Sequence, residues 1–270
     1  VRIERRIDLF EVLFQRLRQR VAPRLVARFQ HRIGRQHDQR ARLALVDIDG
    51  AAAEASAARL AQAGAQAIGI GADIRSSEQC AAMLQRAQAA LGPLGVVVNS
   101  AAVLDDKTFL ESTPADWQRM VDVCLFGAMN VLHTALPGMV ERRFGRIVCM
   151  ASDSYKLGQA RLSYYAAAKA GVVALVKSVA QEVGGVGVTL NVVSPGATNT
   201  ELRQAREAGL RAGMGEERYA RRVKSVLKMY PTGRIGEPAD AAGAILYLSS
   251  AQASWVTGQV LSVNGGFTMA

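Results

Sequence analysis

The chain has 270 residues, half of them hydrophobic, and a formal net charge of +10. This length fits one large domain or two small ones, and the hydrophobic content predicts a substantial buried core. Charged residues interrupt the apolar runs, so no membrane span is predicted. Residues 1–40 hold eleven arginines and four acids, a net charge of +7, so the remaining residues carry only +3 (10 − 7). A phosphate-binding face would spread basic residues over the whole fold, so this distribution argues against a nucleic-acid-binding protein.

The start of the chain does not resemble a secretory signal, because arginines interleave with its apolar residues. Cys80, Cys124 and Cys149 lie far apart and lack the spacing of metal ligands. Cysteines spaced in this way are typical of reduced thiols in a cytoplasmic protein. The sequence therefore predicts a cytoplasmic protein without a metal site.

From Ala41 onward, short apolar runs alternate with longer helical patterns. Strands are predicted at "RLALVDID", "AQAIGIGADI", "LGVVVNSA", "GRIVCMAS", "GVTLNVVSPG" and "GQVLSVNGG". Helices are predicted at "GAAAEASAARLAQAG", at "SEQCAAMLQRAQAALG", and at about 113–137, 163–183 and 238–250, with a variable helical region at 200–229. This alternation predicts the α/β class, with one domain over residues 41–270 in which helices cover both faces of a doubly wound parallel sheet.

Polar residues stand where the predicted strands end, and ligands bind at the carboxyl ends of strands in such a sheet. Asp47 ends the first strand, where an acid favours NAD over NADP by binding the ribose hydroxyls, although a plain surface aspartate would explain it equally well. Asp73 and Ile74 follow the next strand and are expected to contact adenine. The following strands are closed by Asn99, Ser152, Pro195 and Gly196.

Tyr165 and Lys169 share one face of a predicted helix, one turn apart. A lysine cation beside a phenol favours the phenolate and lowers the tyrosine pKa from its usual value of about 10, which suits general acid–base work. The alternative is a partly exposed tyrosine beside a solvated lysine. Ser152 favours the first interpretation, because it lies 13 residues before Tyr165 at a strand end, where it can hold the same carbonyl oxygen.

These motifs together resemble those of the short-chain dehydrogenase/reductase family. The resemblance rests on Ser152, "YAAAK", "SPGATNT" and the C-terminal segment "GRIGEPADAAGAILYLSSAQASWVTGQVLSVNGG", and it covers about residues 41–270. It is closest to the 3-oxoacyl-carrier-protein-reductase-like members. It implies a Rossmann-like domain, NAD as the cofactor, and hydride exchange between a secondary alcohol and a ketone, for example a 3-oxoacyl thioester or a cyclic alcohol.

The resemblance also implies roles for single residues. Tyr165 would give or take the proton, Ser152 would orient the substrate oxygen, and Lys169 would bind the nicotinamide ribose. Thr198 and Thr200 would contact the carboxamide and the pyrophosphate. Residues from about 200 to 229 would form the variable substrate lid. Family similarity further implies a homotetramer in which the helices at 113–137 and 163–183 pair across one interface and the C-terminal strand supports another. The alternative is that the apolar faces of these helices pack only on their own sheet.

The sequence departs from the family pattern at two places near the predicted site. The family's Asn-Asn-Ala-Gly after the fourth strand is replaced by Asn99-Ser100-Ala101-Ala102, and the methyl group of Ala102 is expected to crowd the cofactor side. Cys124 replaces the asparagine that supports a proton relay to the lysine. A thiol is a weak hydrogen-bond partner, so proton delivery is expected to be slower or supported by another group.

The third departure is the largest. The family begins with a strand, a Thr-Gly-x-x-x-Gly-x-Gly turn and a helix that hold the pyrophosphate, whereas residues 1–49 contain a single glycine, Gly34. Without that cradle we expect weak NAD binding or none. The chain would then be a catalytically impaired remnant that serves as an interaction or assembly module.

Three interpretations of the basic segment 1–40 remain open. The apolar residues Ile7, Phe10, Phe14, Leu17 and Val21 predict an amphipathic helix that would lie on an anionic membrane surface or dock a partner. The arginine-rich, lysine-free composition is also what an out-of-frame reading of GC-rich coding DNA would produce. The third interpretation is a genuine N-terminal arm.

Overall fold

A computed structural model describes residues 42–269 of the chain. The predictions for residues 1–40, among them the amphipathic helix, lie outside the described residues.

The first half of the described chain follows the predicted alternation. It comprises β1 (Arg42–Asp47), α1 (Gly50–Gln62), β2 (Gln66–Gly71), α2 (Ser77–Leu91) and β3 (Val96–Asn99). Both helices begin at side-chain caps: the Asp49 carboxylate accepts a hydrogen bond from the Ala52 amide, and the Ser76 hydroxyl accepts one from the Gln79 amide. Helix α2 ends at Gly92, whose φ of 82° is costly for any residue with a side chain.

A long helical stretch after β3 matches the prediction for 113–137 and extends slightly beyond it. It consists of α3 (Pro114–Val121), a π-helical segment (Asp122–Phe126) and α4 (Gly127–Glu141). By length and composition this stretch would pass as a membrane span, with a mean hydropathy of 1.5 in its most apolar window. However, the buried residues of α4 pack on the sheet, so core packing accounts for their apolar character.

The second half contains the remaining predicted elements and one short helix that the sequence did not indicate. The order is β4 (Gly145–Met150), the short α5 (Ser154–Leu157), α6 (Ser163–Val183), β5 (Val188–Pro195), α7 (Glu201–Met214), α8 (Glu216–Leu227), α9 (Pro238–Leu248) and β6 (Val260–Val263). The variable region is thus two helices, α7 and α8.

All strand pairs in the described part are parallel, which confirms the predicted α/β class. Four strands form one sheet in the order β3-β4-β5-β6, and β1 pairs with β2. Alternate residues of β4 face opposite layers: Ile147 and Cys149 pack with α4 and α6, whereas Val148 packs with α9. The carboxyl ends of β3, β4, β5 and β6 therefore lie along one edge, which is where the candidate site is found.

Strands β1 and β3 each have one edge that is unpaired within residues 42–269. Val46 and Ile48, at the end of β1, and Val96, at the start of β3, are each more than a third exposed, which is unusual for apolar residues of a parallel sheet. Helix α2 contacts β1, β2 and α4, and so connects the two groups of strands. Within residues 42–269, no strand covers these two edges. The prediction that the first β-α unit is missing or replaced concerns residues before Arg42 and lies outside the described residues.

Candidate active site

Lys169 is buried at the centre of the candidate site. Only 2% of this residue is exposed, and its ammonium group donates a hydrogen bond of 2.9 Å to the Met150 carbonyl at the end of β4. The same ammonium lies 5.7 Å from the centre of the Tyr165 ring. The lysine is therefore not a solvated surface cation. Helix α6 places it between the phenol and the strand that leads to Ser152.

The neighbouring Tyr164 has a different environment from Tyr165. It is buried, and its hydroxyl donates a hydrogen bond of 3.1 Å to the Asp105 carboxylate. Burial, followed by this hydrogen bond, raises the pKa of Tyr164 to about 12. Tyr164 therefore keeps its proton at neutral pH, so of this adjacent pair only Tyr165 is associated with a buried cation.

Ser152 stands two residues after the end of β4. Its Oγ accepts a hydrogen bond of 3.1 Å from the Ser154 hydroxyl, and Ser154 is itself buried. The Met150 carbonyl, which binds Lys169, lies two residues before Ser152 in the chain. The end of β4 therefore brings the predicted serine into the same region as the predicted lysine.

Cys124 lies in the π-helical segment and is fully buried. Its Sγ is 3.9 Å from the Val103 carbonyl oxygen and 3.7 Å from the sulfur of Met120. It belongs to a small apolar cluster that also contains Ala102, and Tyr165 packs against this cluster. The two substituted positions, 102 and 124, thus pack together beside the predicted phenol.

The acids predicted to bind the adenosine end already have partners within the chain. The Asp47 carboxylate accepts a hydrogen bond of 2.9 Å from the Asp49 amide. The Asp73 carboxylate binds the Arg75 guanidinium at 2.9 and 2.5 Å, and this hydrogen bonding holds the Asp73 pKa below its usual value. A ribose or adenine at this edge would therefore share these carboxylates with backbone and arginine donors.

The loop around Ile74 is tied to α4 rather than to the strand ends. The Asn130 side chain donates a hydrogen bond of 2.9 Å to the Ile74 carbonyl. The Ile74 side chain fills the space over Gly127, where an added Cβ would lie 2.5 Å from its Cδ1. Asn130 is a structural residue that no motif indicated.

The remaining predicted contacts lie on the β3 end and on the loop after β5. Asn99 is level with Cys149 in the β3–β4 pairing. Pro195 ends β5, and the Thr198 hydroxyl donates to the Gly196 carbonyl at 3.1 Å. The Thr200 hydroxyl is the N-terminal cap of α7, because it accepts from the Arg203 amide at 3.3 Å. Both threonine hydroxyls therefore already shape this loop.

Comparison with known proteins decides the family. A family model described as "Enoyl-(Acyl carrier protein) reductase" matches residues 34–268. The chain is 35% identical over 194 residues to "Acetoacetyl-CoA reductase" of Shinella zoogloeoides, which covers 72% of this chain and 76% of that protein. This chain belongs to the short-chain dehydrogenase/reductase family. Members of this family are oxidoreductases.

Two further relatives show the range of this similarity. The chain is 39% identical over 228 residues to "Inactive 2-(S)-hydroxypropyl-CoM dehydrogenase 2" of Xanthobacter autotrophicus, covering 84% of this chain and 95% of that protein. It is 31% identical over 223 residues to a "3-oxoacyl-[acyl-carrier-protein] reductase" of Vibrio harveyi, covering 82% of this chain and 86% of that protein.

Short-chain dehydrogenases/reductases use a nicotinamide dinucleotide, and the described residues fit only part of such a molecule. The carboxyl edge carries the residues predicted for its adenosine and nicotinamide ends. The pyrophosphate needs a glycine-rich turn between a strand and a helix N-terminus. Residues 1–49 contain one glycine, Gly34, and no Thr-Gly-x-x-x-Gly-x-Gly turn, and within residues 42–269 β1 and β3 each keep an unpaired edge. The sequence before β1 in this family member therefore does not fit the pyrophosphate.

Sequence reasoning missed two acids of this short-chain dehydrogenase/reductase. Asp153, next to Ser152, is 1% exposed and accepts hydrogen bonds from β5 and from the end of β6. Asp106 binds Arg161 before α6 and Arg206 in α7. The only available signal was an aspartate beside a predicted catalytic serine. Within residues 42–269, no group of three metal-ligating side chains is found.

Proposed function

We propose that this protein is an NAD(H)-dependent oxidoreductase that interconverts a secondary alcohol and a ketone, with Tyr165 as the proton donor and acceptor. The observation that carries this proposal is the buried Lys169 ammonium beside the Tyr165 ring and the end of β4. A cation that is held out of solvent next to a phenol stabilises the phenolate. The phenol then exchanges protons near neutral pH, as general acid–base catalysis requires.

Each residue of the site has a distinct task in this proposal. Ser152 holds the substrate oxygen through its hydroxyl, and Tyr165 transfers the proton at that oxygen. Lys169 keeps its charge beside the phenol and contacts the nicotinamide ribose. When bound, the nicotinamide accepts or supplies the hydride. Asp47 selects NAD rather than NADP, because its carboxylate repels a 2′-phosphate.

The proposed substrate is a 3-oxoacyl thioester, with a cyclic alcohol as the alternative. Two relatives carry names that specify acetoacetyl-CoA or a 3-oxoacyl carrier protein. The lid region supports an anionic substrate handle, because residues 201–234 contain nine basic and four acidic side chains. Lys224 and Lys228 are exposed beside the apolar side chains of Val223 and Leu227, along a groove of about 780 Å³. Such a groove suits a long molecule with phosphate or carboxylate groups.

A second candidate function follows from the unpaired edges of β1 and β3. If residues 1–41 do not supply the pyrophosphate cradle, the chain is a catalytically impaired member that acts as an interaction or assembly module. The relative with the name "Inactive 2-(S)-hydroxypropyl-CoM dehydrogenase 2" shows that an inactive form is described among similar proteins. NAD affinity separates the two candidates.

We further propose a cytoplasmic homotetramer whose residues 41–270 form one domain with a lid at about 200–229. Phe126 and Met129 on the long helical stretch, and Trp255 and Leu261 near β6, are exposed apolar side chains at the two predicted interfaces. Size-exclusion chromatography with light scattering tests this assembly. A monomer at micromolar concentration would contradict it.

Turnover measurements test the proposed function directly. Purified protein is assayed with acetoacetyl-CoA and millimolar NADH, so that weak cofactor binding does not hide turnover. We expect NADH absorbance to fall only when acetoacetyl-CoA is present. In Tyr165→Phe this fall should disappear. If the protein turned over neither acetoacetyl-CoA nor any cyclic ketone of a panel, the oxidoreductase proposal would be overturned and the interaction module favoured.

A further inference from the structure

The residue after Ser152 carries a buried charge that the proposed reaction does not use. Asp153 is 1% exposed, and its carboxylate lies among hydroxyl and amide groups from β5 and β6. It accepts hydrogen bonds from Ser194 Oγ at 2.5 Å, Ser262 Oγ at 3.2 Å and Asn264 Nδ2 at 2.5 Å. A buried carboxylate is tolerated only when such donors surround it.

A cation supports this carboxylate through one of its partners. The Lys156 ammonium donates to Ser262 Oγ at 3.0 Å, and the same hydroxyl donates to Asp153. The Ser262 hydroxyl therefore links the Lys156 ammonium to the Asp153 carboxylate. In a protein interior, the hydrogen bonds within a short chain like this one strengthen one another.

The cluster joins the ends of three strands at the candidate site. Asp153 follows β4, Ser194 lies in β5, and Ser262 and Asn264 lie in and just after β6. The Asp153 backbone amide also donates to the Pro195 carbonyl at 3.1 Å. Gly196 packs against Asn264, because a Cβ added to this glycine would lie 3.0 Å from the Asn264 Cβ. Asp153 therefore joins the loop with Ser152 to the loop with Pro195 and Gly196, through its carboxylate and through its backbone amide.

We propose that Asp153 is a positioning residue that fixes the Ser152 loop against the loop after β5. Asp153 contacts neither substrate nor cofactor in this role, and it acts by holding the Ser152 hydroxyl where the substrate oxygen binds. This inference rests on the proposed function for its catalytic consequence. Its structural part, the coupling of the two loops, stands independently.

The carboxylate and the amide of the cluster can be exchanged to test this role. In Asp153→Asn, one of the two acceptor oxygens becomes an NH2 group, so either the Asn264 amide or the Ser194 and Ser262 hydroxyls lose their acceptor. The double variant Asp153→Asn/Asn264→Asp restores a donor–acceptor pair, although Asn264 no longer donates to the Thr268 carbonyl, a bond of 2.8 Å. Asp49→Asn, at the cap of α1, is the matched control.

Hydrogen exchange measured by mass spectrometry is the first readout, on the full chain. We expect Asp153→Asn to speed exchange at least about fivefold in residues 151–157 and 194–198, corresponding to about 1 kcal/mol for one lost hydrogen bond. The double variant should recover most of this protection, and Asp49→Asn should leave both segments unchanged. Unchanged exchange in Asp153→Asn, or no recovery in the double variant, would overturn the proposal.

Steady-state kinetics is the second readout. We expect kcat to fall about tenfold or more in Asp153→Asn with KM within twofold, and to recover in the double variant, because a misplaced Ser152 affects the transition state more than ground-state binding. A rise in KM with kcat unchanged would overturn the positioning role. If the unsubstituted chain shows no turnover while the exchange pattern holds, the proposed function fails and the loop coupling is retained.

Discussion

The Lys169 ammonium lies 5.7 Å from the ring centre of Tyr165 while it donates a hydrogen bond to the Met150 carbonyl. This arrangement fixes the cation on one side of the phenol, because both the helix and the strand end hold it. The adjacent Tyr164 instead donates to the Asp105 carboxylate and has a pKa raised to about 12. Two consecutive tyrosines are thus a matched pair for experiment, one beside a cation and one beside an anion.

Replacing Tyr165 by phenylalanine should remove turnover and leave the fold intact. General acid–base groups contribute about 10²–10⁴-fold to rate, so kcat with acetoacetyl-CoA and NADH should fall by at least about 100-fold. Tyr164→Phe is the control: it loses one hydrogen bond to Asp105, which should lower the free energy of unfolding by about 1 kcal/mol, and it should retain kcat within about threefold. Kinetics and urea denaturation of both variants provide the measurement.

The opposite pattern would contradict the assignment of the two tyrosines. If Tyr164→Phe lost turnover and Tyr165→Phe kept it, the acid–base group would be the phenol beside Asp105. Equal turnover in all three proteins would refute acid–base catalysis by either tyrosine.

The chain should bind NAD weakly, because residues 1–49 contain one glycine and no Thr-Gly-x-x-x-Gly-x-Gly turn to hold the pyrophosphate. Each hydrogen bond to a charged group is worth about 1.5–3 kcal/mol, so the loss of two such bonds weakens binding by at least about 100-fold. Isothermal titration calorimetry of the full chain measures this affinity. A dissociation constant in the micromolar range or tighter would show that residues 1–41 or another segment supply the missing contacts.

A chimera provides the matched control for this titration. A strand, a Thr-Gly-x-x-x-Gly-x-Gly turn and a helix, the unit with which the family begins, are placed before Arg42, in place of residues 1–41. This unit should pair with the unpaired edges of β1 and β3 and raise NAD affinity at least about 100-fold. In the chimera, Asp47→Ala should reduce the preference for NAD over NADP.

Helix α7, in the proposed lid, is attached to the rest of the protein partly through Asp106. Its carboxylate binds Arg161, which precedes α6, and Arg206 in α7, each at 2.6 Å. The two partly exposed ion pairs are worth about 0.5 kcal/mol each, so Asp106→Asn should speed tryptic cleavage within residues 200–229 about fivefold. Glu217→Gln removes an exposed ion pair with Arg221 in the same lid and should leave the cleavage rate unchanged. Equal rates in Asp106→Asn and the unsubstituted chain would refute the attachment.

Much of the fold is readable from local patterns because each element is indicated by its own sequence. Helix α6 was predicted at 163–183 and spans Ser163–Val183, since a long apolar stripe and small residues mark its whole length. The π-helical segment at Asp122–Phe126, which contains the buried Cys124, had no such signal, because helix propensity does not distinguish a π turn from an α turn. Residues 1–49 contain no glycine-rich turn, and residues 42–269 leave one edge of β1 and one edge of β3 unpaired.

The candidate site shows where sequence reasoning ends. Lys169 and Tyr165 share a helix face through their spacing, so their proximity was predictable. The burial of Lys169 and its bond to Met150 depend on how α6 packs across β4, which is a tertiary contact between distant segments. For the same reason Asp153 was missed, since its three donors come from residues 194, 262 and 264.

Gly69 in β2 should tolerate no side chain. An added Cβ would fall on the backbone of Ala53 and Glu54 in α1, 2.5 Å from the Ala53 carbonyl carbon. Gly69→Ala should therefore lower the free energy of unfolding by about 1–3 kcal/mol, because strand and helix must move apart. In Gly243→Ala, within α9, the added methyl group meets nothing within 4 Å, so this control should gain up to about 1 kcal/mol from helix propensity. Urea denaturation that ranks the two variants in the reverse order would contradict this packing.

The stability of the segment before α3 should depend on pH through Asp116. Its carboxylate binds the Lys107 ammonium at 2.8 Å and caps α3 by accepting from the Thr113 amide at 2.9 Å. The hydrogen bond from Lys107, followed by that from Thr113, lowers the Asp116 pKa from 3.8 to about 2. Because the folded-state pKa lies below the unfolded value, the stabilisation is complete above about pH 4 and is lost as the pH falls towards 2.

Asp116→Asn should therefore lower Tm at pH 7, and the difference from the unsubstituted chain should shrink between pH 4 and pH 2, where Asp116 itself becomes neutral. Differential scanning calorimetry across this range measures the difference. Glu217→Gln, which removes the charge of a side chain that is 85% exposed, should match the unsubstituted chain at every pH. A difference for Asp116→Asn that stayed constant down to pH 2 would mean that the substitution acts through packing rather than through the charge, because a neutral carboxyl group no longer attracts the Lys107 ammonium.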